Sequence, residues 1–445
     1  NRLKFAYFGS RRCRAAAACF GMSLLCFVWD ADGQVLLRRE APSFLRDFPS
    51  GFERDLRLRM PRRGSAASVG TAVPLFVCRH TTTCHGAPAA SLAATGPAPH
   101  PVALVKSSLQ KAMRRGLGRA AVAAGAYLLA REPKEMLRRL PVILAEDVAV
   151  PDDLPRLMWL CVAVQSGYEL REDDLRFILE LVASAASCPW RTEVPAHIDE
   201  AAMDAVLAKL IQPTAPADAL ASAAKAERGP SDLLAACLVL RACYGGMGGD
   251  IELLLGLAAA SESWASRTMP SAGVPSEPRQ LSEGSAAAPA DEWLARLRVG
   301  SRHWGGPLAP DERVEAAADF HCTDVVPRLC RFLRTRAAPG APLPSEDNVK
   351  AAMWEHRSSL NFRSPPAPQK QPPSWWDAAT ETELTRLSQA AWTPVAGATV
   401  ATVDASSGPS ADTAKRRRVA SSGQRQLSLL RFVAAGRTAE PTAAA

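Results

Sequence analysis

The stretch from Leu104 to Val150 is the feature that most constrains what this chain can fold into. Its apolar residues recur at steps of three and four, the spacing of one face of an amphipathic α-helix: Leu109, Met113, Leu117, Ala120, Ala124 and Leu128. Pro133 stands where the first turn of a helix tolerates proline, so a second helix is predicted to begin there. Pro141 removes an amide donor inside that second helix and predicts a kink. The stretch therefore predicts a helical domain.

Helix-capping and helix-stopping residues extend this prediction along the chain. Asp199 and Ser231 are N-cap types placed before apolar-periodic segments, and Gly167 and Pro189 are placed where helices end. Together with the apolar spacing they predict these further helices: 154–166, 172–187, 200–211, 232–244, 250–259, 291–299, 311–322, 325–336 and 346–358.

The predicted fold class is mainly α, with a multi-helix globular core, a long disordered N-terminal segment, linkers and a C-terminal tail. Residues 1–102 are predicted to be poorly structured, because 61–101 is rich in Ala, Gly, Pro, Ser and Thr. A hairpin around Asp30 to Gly33 is the exception. Residues 103–211 form one predicted helical domain, 231–362 a second helical region and 363–445 a disordered tail.

Composition narrows the class of protein. The 35 Pro and 28 Gly imply long linkers, and the net charge of +8 permits nucleic-acid contact without requiring it. The 11 Cys are odd in number and irregular in spacing, so a disulfide framework is not expected. Three of them lie on predicted apolar helix faces and are expected to be buried thiols in a reducing compartment: Cys161, Cys237 and Cys330.

No run of eighteen apolar residues occurs, so a membrane-spanning helix is not expected. The nearest candidate is Ala15 to Trp29, which follows Arg11, Arg12 and Arg14. This segment has the pattern of a signal-peptide core, of a buried strand, or of translated sequence outside the gene. The first residue is Asn rather than Met, which leaves open where the protein begins.

Charged side chains on the two opening helices are candidate DNA or assembly contacts. Basic residues of the first helix are suited to phosphate groups: Lys106, Lys111, Arg114 and Arg115. The second helix carries two basic residues near its middle and two acidic residues at its end: Arg138, Arg139, Glu146 and Asp147. The alternative for the first set is a solvated face that pairs with Glu132, Glu135 or Glu146. The second set could pair between subunits of a homo-oligomer or form local ion pairs.

The same block resembles a known family. It is similar to the C-terminal region of the MgsA / Werner-helicase-interacting AAA+ ATPase family through Lys106, Ser107, Arg114, Arg115, Gly116, Arg138, Arg139, Leu140, Ala145, Glu146, Asp147 and Val148. The match covers about a fifth of the chain and departs from the family pattern at Pro141 and Ala149. No phosphate-binding loop of the form G-x-x-x-x-G-K-[ST] occurs. The resemblance therefore implies a helical assembly module related to replication-fork factors, without the ATPase.

The C-terminal end carries two peptide motifs. Lys415, Arg416, Arg417 and Arg418 form a basic block that predicts nuclear import, with a solvated charge run as the alternative. A second pattern follows at Gln426, Leu429, Phe432 and Val433. It resembles the PCNA-interacting peptide (PIP box) of proteins that bind the sliding clamp, with Val433 in place of the usual second aromatic residue. The alternative is an ordinary amphipathic terminal helix.

No recognisable catalytic motif occurs, and no cofactor or metal is predicted. Two groups have ligand-capable side chains without a recognised zinc spacing: Cys78, His80, Cys84 and His85, and His321, Cys322, Cys330 and His356. The leading hypothesis is a non-enzymatic nuclear replication or repair factor that binds the sliding clamp. The alternative is a nucleic-acid-processing enzyme with a site in the 300–360 helices that uses Asp319, His321 and His356. A purely structural scaffold is a third hypothesis.

Overall fold

The structure is a computed structural model that describes residues 24–40, 48–59, 72–84, 98–192, 200–211, 230–261, 308–320, 324–338, 340, 342–364 and 371–393. Within these ranges the protein is mainly α-helical and has one small sheet. The predicted fold class, a multi-helix core, is therefore confirmed.

The elements are numbered in chain order. The strands are β1 (Leu24–Trp29), β2 (Val35–Glu40), β3 (Ser50–Arg59) and β4 (Ala72–His80). The α-helices are α1 (Val102–Arg114), α2 (Gly118–Arg131), α3 (Pro133–Asp147), α4 (Leu154–Gln165), α5 (Glu172–Ser187), α6 (Glu200–Ile211), α7 (Pro230–Cys243), α8 (Gly248–Ala259), α9 (Val325–Arg336), α10 (Glu346–Met353) and α11 (Ala378–Trp392). Helix α10 continues into a π-helical turn, Trp354–Ser358.

The four strands form one mixed sheet in the order β2-β1-β4-β3. Strands β1 and β2 make the predicted antiparallel hairpin, closed by a turn in which Gly33 has a φ of 80°. Strand β4 pairs in parallel with β1 and antiparallel with β3. Pro74 lies before the part of β4 that pairs with β1, which begins at Leu75, so its missing amide costs no bond in that ladder.

The sheet packs against α4 through Trp159, which is fully buried. Its indole nitrogen donates to the carbonyl oxygens of Phe27 and Cys78, each at 3.1 Å. The rings of Trp29 and Tyr168 meet that indole edge-on, at centroid distances of 5.2 and 5.3 Å. One apolar core therefore includes the helix-facing side of the sheet and the helices.

A buried ion pair joins the sheet to α5. Arg79 of β4 lies 3.0 Å from Asp174, and both side chains are within 3% of complete burial. The same carboxylate accepts hydrogen bonds from the Tyr168 hydroxyl at 2.8 Å and the Arg171 amide at 2.9 Å. The Arg79 guanidinium lies over the Trp29 ring, 3.8 Å from its centroid. Asp174 is thus fully committed to holding β4 against the start of α5.

The predicted first helix is two helices in the structure. Helix α1 ends at Arg114 because Gly116, with a φ of 73°, closes it in a Schellman motif: the amide of Leu117 donates to Ala112 O at 2.9 Å. Helix α3 runs through Pro141 from Pro133 to Asp147.

Most of the other predicted helices are present in the structure, and one is not. Helices over 154–166, 172–187, 200–211, 232–244, 250–259 and 325–336 are confirmed within one or two residues, and 346–353 is confirmed as α10. The helix over 311–322 is wrong: the described part contains two short 3₁₀ turns, Pro310–Glu312 and Glu315–Ala317. The predicted helix over 291–299 lies outside the described residues.

Two regions predicted to be disordered contain packed structure. The sheet occupies much of 24–84, and its core strand β4 falls in the Ala- and Pro-rich stretch. Helix α11 lies in the predicted tail, where Trp376 and Trp392 are buried. Both regions pack because their aromatic and aliphatic side chains find partners far away in sequence.

Cys161, Cys237 and Cys330 are buried free thiols, and burial raises the pKa of Cys161 to about 11. Among the described residues, no helix combines the length and the apolar character needed to cross a membrane.

The Asp174→Asn variant is expected to lower the free energy of unfolding by about 3–5 kcal/mol, because it leaves the buried Arg79 cation without a counter-charge. Urea unfolding measures this. The matched control is Asp324→Asn, which breaks an exposed pair with Arg328 and should cost less than about 1 kcal/mol. Equal effects of the two substitutions would contradict the role given to Asp174.

Candidate functional site

Helices α1 and α3 pack against each other and bring together the charged residues singled out in the sequence. Arg114 makes a two-pronged contact with Asp147: its Nε lies 2.7 Å from Oδ1 and its Nη2 lies 3.0 Å from Oδ2. Both side chains are nearly inaccessible, at 4% and 3% exposure. Burial by itself lowers the pKa of Arg114, but the charge and hydrogen bonds of Asp147 outweigh it and raise that pKa above its ordinary value.

Arg114 and Lys111 also anchor distant segments of the chain. Arg114 Nη1 donates to the carbonyl oxygen of Ser358, beyond α10. Lys111 pairs with Asp319 and donates to Ser107 Oγ at 2.7 Å, and the side chains of Lys111 and Asp319 are each 5% exposed. Both basic side chains therefore make their charged contacts with other residues of the chain, inside the fold.

Gln110 connects the two helices at the centre of this network. Its Nε2 donates to Glu146 Oε2 at 3.0 Å and to Asp147 Oδ2 at 2.9 Å. Its Oε1 accepts from Arg139, whose other prong lies 3.5 Å from Asp250 of α8. A neutral amide thus fixes the relative positions of two carboxylates and one guanidinium.

The outer part of the network is half-exposed. Lys106 lies 2.9 Å from Glu135, which also pairs with Arg138 at 3.2 Å. Arg115 donates to the carbonyl oxygen of Arg357 at 2.9 Å. Arg138 and Arg139 pair within the chain, but with Glu135 and Asp250 rather than with Glu146 and Asp147, which pair with Arg114. Lys106, Arg115 and Arg138 keep enough exposure for DNA contact to stay a prediction, whereas Lys111 and Arg114 are buried.

The pKa of Glu146 is displaced from its ordinary value towards neutral pH. Burial and then the adjacent charge of Asp147 raise the pKa of Glu146 to about 7, against the opposing charges of Arg114 and Arg139. Asp250 adds to the rise. The Glu146 carboxylate can therefore bind a proton near neutral pH, at the place where α1, α3 and α8 meet.

Next to the network, the ends of three helices converge on Arg363. Its guanidinium donates to Met113 O of α1 at 2.8 Å, to Ala185 O of α5 at 2.6 Å and to Cys188 O, just after α5, at 2.6 Å. A longer contact of 3.5 Å reaches Asp147 O of α3. Arg191 donates to Glu146 O of α3 at 3.0 Å. Sequence reasoning missed both arginines, because their partners are far away in the chain: Arg191 follows α5 but donates to a carbonyl of α3, and Arg363 donates to carbonyls near residues 113 and 185.

The residues of the enzyme hypothesis are not assembled in the described part. Asp319 is paired with Lys111, and the His356 ring lies against Trp376 with centroids 5.7 Å apart. His321 lies outside the described residues. No group of three metal-ligating side chains occurs where the structure is described, although His85 and Cys322 fall outside it.

The two C-terminal motifs also lie outside the described residues. They are the basic block, Lys415 to Arg418, and the clamp-binding pattern, Gln426 to Val433.

The Glu146→Gln variant is expected to be more stable than the parent by about 1 kcal/mol at pH 8, with a smaller difference at pH 5. Folding raises the pKa of Glu146, so the folded state holds the proton more tightly than the unfolded state does. The parent therefore loses stability as pH rises from 4.5 towards 7, and the variant, which carries no titrating group there, does not. Unfolding at both pH values measures this. Glu132→Gln, at an exposed position, is the control. A gain that is the same at both pH values would contradict it.

No family model matches the chain, and no curated protein or solved structure is similar to it. The resemblance to the MgsA-type AAA+ family therefore stays an expectation based on the residues of α1 to α4.

Proposed function

We propose that this protein is a non-enzymatic nuclear accessory factor of DNA replication or repair, which docks the sliding clamp through its C-terminal peptide and uses its helical body as a scaffold. The observation that carries the proposal is the pattern Gln426, Leu429 and Phe432, placed shortly after the basic block at Lys415 to Arg418. A basic peptide of this kind suits an acidic import receptor. The two motifs together describe a protein that enters the nucleus and binds the clamp.

The chemistry of the peptide explains why it would bind. A single tight helical turn brings Leu429 and Phe432 to one side, where they form a hydrophobic plug. Gln426 precedes the turn, and its amide can bond to backbone groups of the partner. Val433 supplies less apolar area than the aromatic residue usual at that position, so we expect a weaker plug.

The helical body supports the scaffold half of the proposal. Two of the residues that resemble the family, Arg114 of α1 and Asp147 of α3, form a buried pair inside the body. The nearby Lys111 pairs with Asp319. A body anchored to the clamp by a peptide gains a high local concentration at DNA without strong DNA affinity of its own. Self-association through α1 to α4 would follow the family resemblance and is part of the proposal.

Replacing both Gln426 and Phe432 by Ala in the full chain is expected to weaken clamp binding at least about ten-fold, since it removes the plug and its polar anchor. Calorimetry with purified clamp measures this. The matched control, Gln424→Ala, changes the same residue type outside the pattern and should leave affinity unchanged. Unchanged affinity in the double variant would refute clamp docking.

The Val433→Tyr variant should bind the clamp more tightly than the parent, by about three-fold or more, because it restores the second aromatic ring. Leu430→Tyr adds the same ring beside the pattern and serves as the control. A gain in the control alone would mean that another register of the peptide binds.

A further inference from the structure

The segment from Arg357 to Ser364 forms an arch over the ends of α1, α3 and α5. At one end its Arg357 carbonyl accepts from Arg115, and at the other its Ser364 hydroxyl accepts from Arg191 at 3.1 Å. Between these points Asn361 donates to Asp147 O at 2.9 Å, and the Phe362 amide donates to Arg114 O at 3.1 Å. The arch is thus fixed at both ends and in the middle.

Apolar side chains are exposed along this arch. Trp190 is 55% exposed, Leu360 50% and Leu117 40%, and they are three of the five large apolar side chains found exposed in the described ranges. Trp190 directly precedes Arg191, and Leu117 follows Gly116, which packs against the Phe362 ring. We call Arg115, Leu117, Trp190, Arg191 and Leu360 the arch surface.

The arch surface is positively charged. In the described part of the chain, the hydrogen bonds of Arg115 and Arg191 are with carbonyl and hydroxyl oxygens. The negative charge of Glu315 acts on Arg115, but less strongly than the like charges of Arg357 and Arg114. The pKa of Arg115 is lowered, first by burial and then by the like charges of Arg357 and Arg114. The Glu146 carboxylate points away, towards Gln110 and Arg114. An anion beside Arg115 would offset the like charges of Arg357 and Arg114 that act on it.

We propose that the arch surface binds single-stranded nucleic acid, with an unpaired base stacked on Trp190 and phosphates held by Arg115 and Arg191. An exposed indole on a surface that also carries basic side chains is the combination that single-strand binders use, because every unpaired base has a free π-face and the backbone carries the charge. A duplex buries those faces. The arch spans at most about 25 Å, enough for a few nucleotides.

This binding is separate from clamp docking, so each can fail without the other. The test measures the fluorescence anisotropy of a labelled oligothymidylate at several salt concentrations. The parent for the comparison is the full chain with Lys415, Arg416, Arg417 and Arg418 changed to Ala, which removes the phosphate affinity of the basic block. The variant in which Gln426 and Phe432 are replaced by Ala should still bind the oligonucleotide.

In that parent, Trp190→Ala is expected to weaken binding about ten-fold, and Trp190→Phe to retain most of it. Arg115→Gln and Arg191→Gln should each lower the slope of log affinity against log salt by about 0.7. The matched controls, Leu343→Ala and Arg328→Gln, change exposed residues away from the arch and should alter neither quantity.

Three outcomes would overturn the proposal. The first is a Trp190→Ala variant that has the same unfolding temperature as the parent and the same affinity for the oligonucleotide. The second is equal affinity for duplex and single strand. The third is Trp190-dependent binding of a Glu-rich peptide by a chain that does not bind the oligonucleotide, which would assign the surface to an acidic protein partner.

Discussion

The body of this protein depends on the way it satisfies three helix ends that meet at one place. Helices α1, α3 and α5 finish within reach of the same arch, and their final carbonyl groups have no partners in their own helices. These ends also carry the negative poles of the helix dipoles, which repel one another when they converge. Arg363 reduces both effects. Its planar guanidinium donates to carbonyl oxygens around α1 and α5, and its positive charge faces the negative ends of the dipoles. Burial lowers the pKa of Arg363 to about 10, which still leaves it cationic at neutral pH.

Much of the helical part of the fold could be predicted because its signals are local. The starts and ends of α4 and α5 follow from residues a few positions apart, such as Gly167 and the acidic first turn at Glu172. Strand β4 could not be predicted, since its partners β1 and β3 are far from it in sequence and its flanks have a linker's composition. The failed helix over 311–322 has the same cause. Its Asp319 is held by Lys111, 208 residues away, in a geometry that no local pattern encodes.

The candidate site shows the same division. Residues of the segment that resembles the AAA+ family come together in the structure, where Arg114 of α1 pairs with Asp147 of α3, a pairing that the sequence did not predict. Residue spacing could not predict that these charged residues form buried pairs within the chain, because the same spacing is compatible with an exposed pair and with a buried one. Arg191 and Arg363 were missed since each contacts mostly backbone oxygen, a partner that every residue offers. Buried charges of this kind add little net stability, and we interpret them as fixing which segments pack together.

Native-state hydrogen exchange on the Arg363→Ala chain tests this account most directly, with Arg386→Ala as the control at an exposed pair. The account predicts that amides in the last turns of α1, α3 and α5 lose protection together, because one guanidinium serves their common meeting point. Loss of protection confined to residues 360–364, with the three helix ends as protected as in the parent, would contradict it.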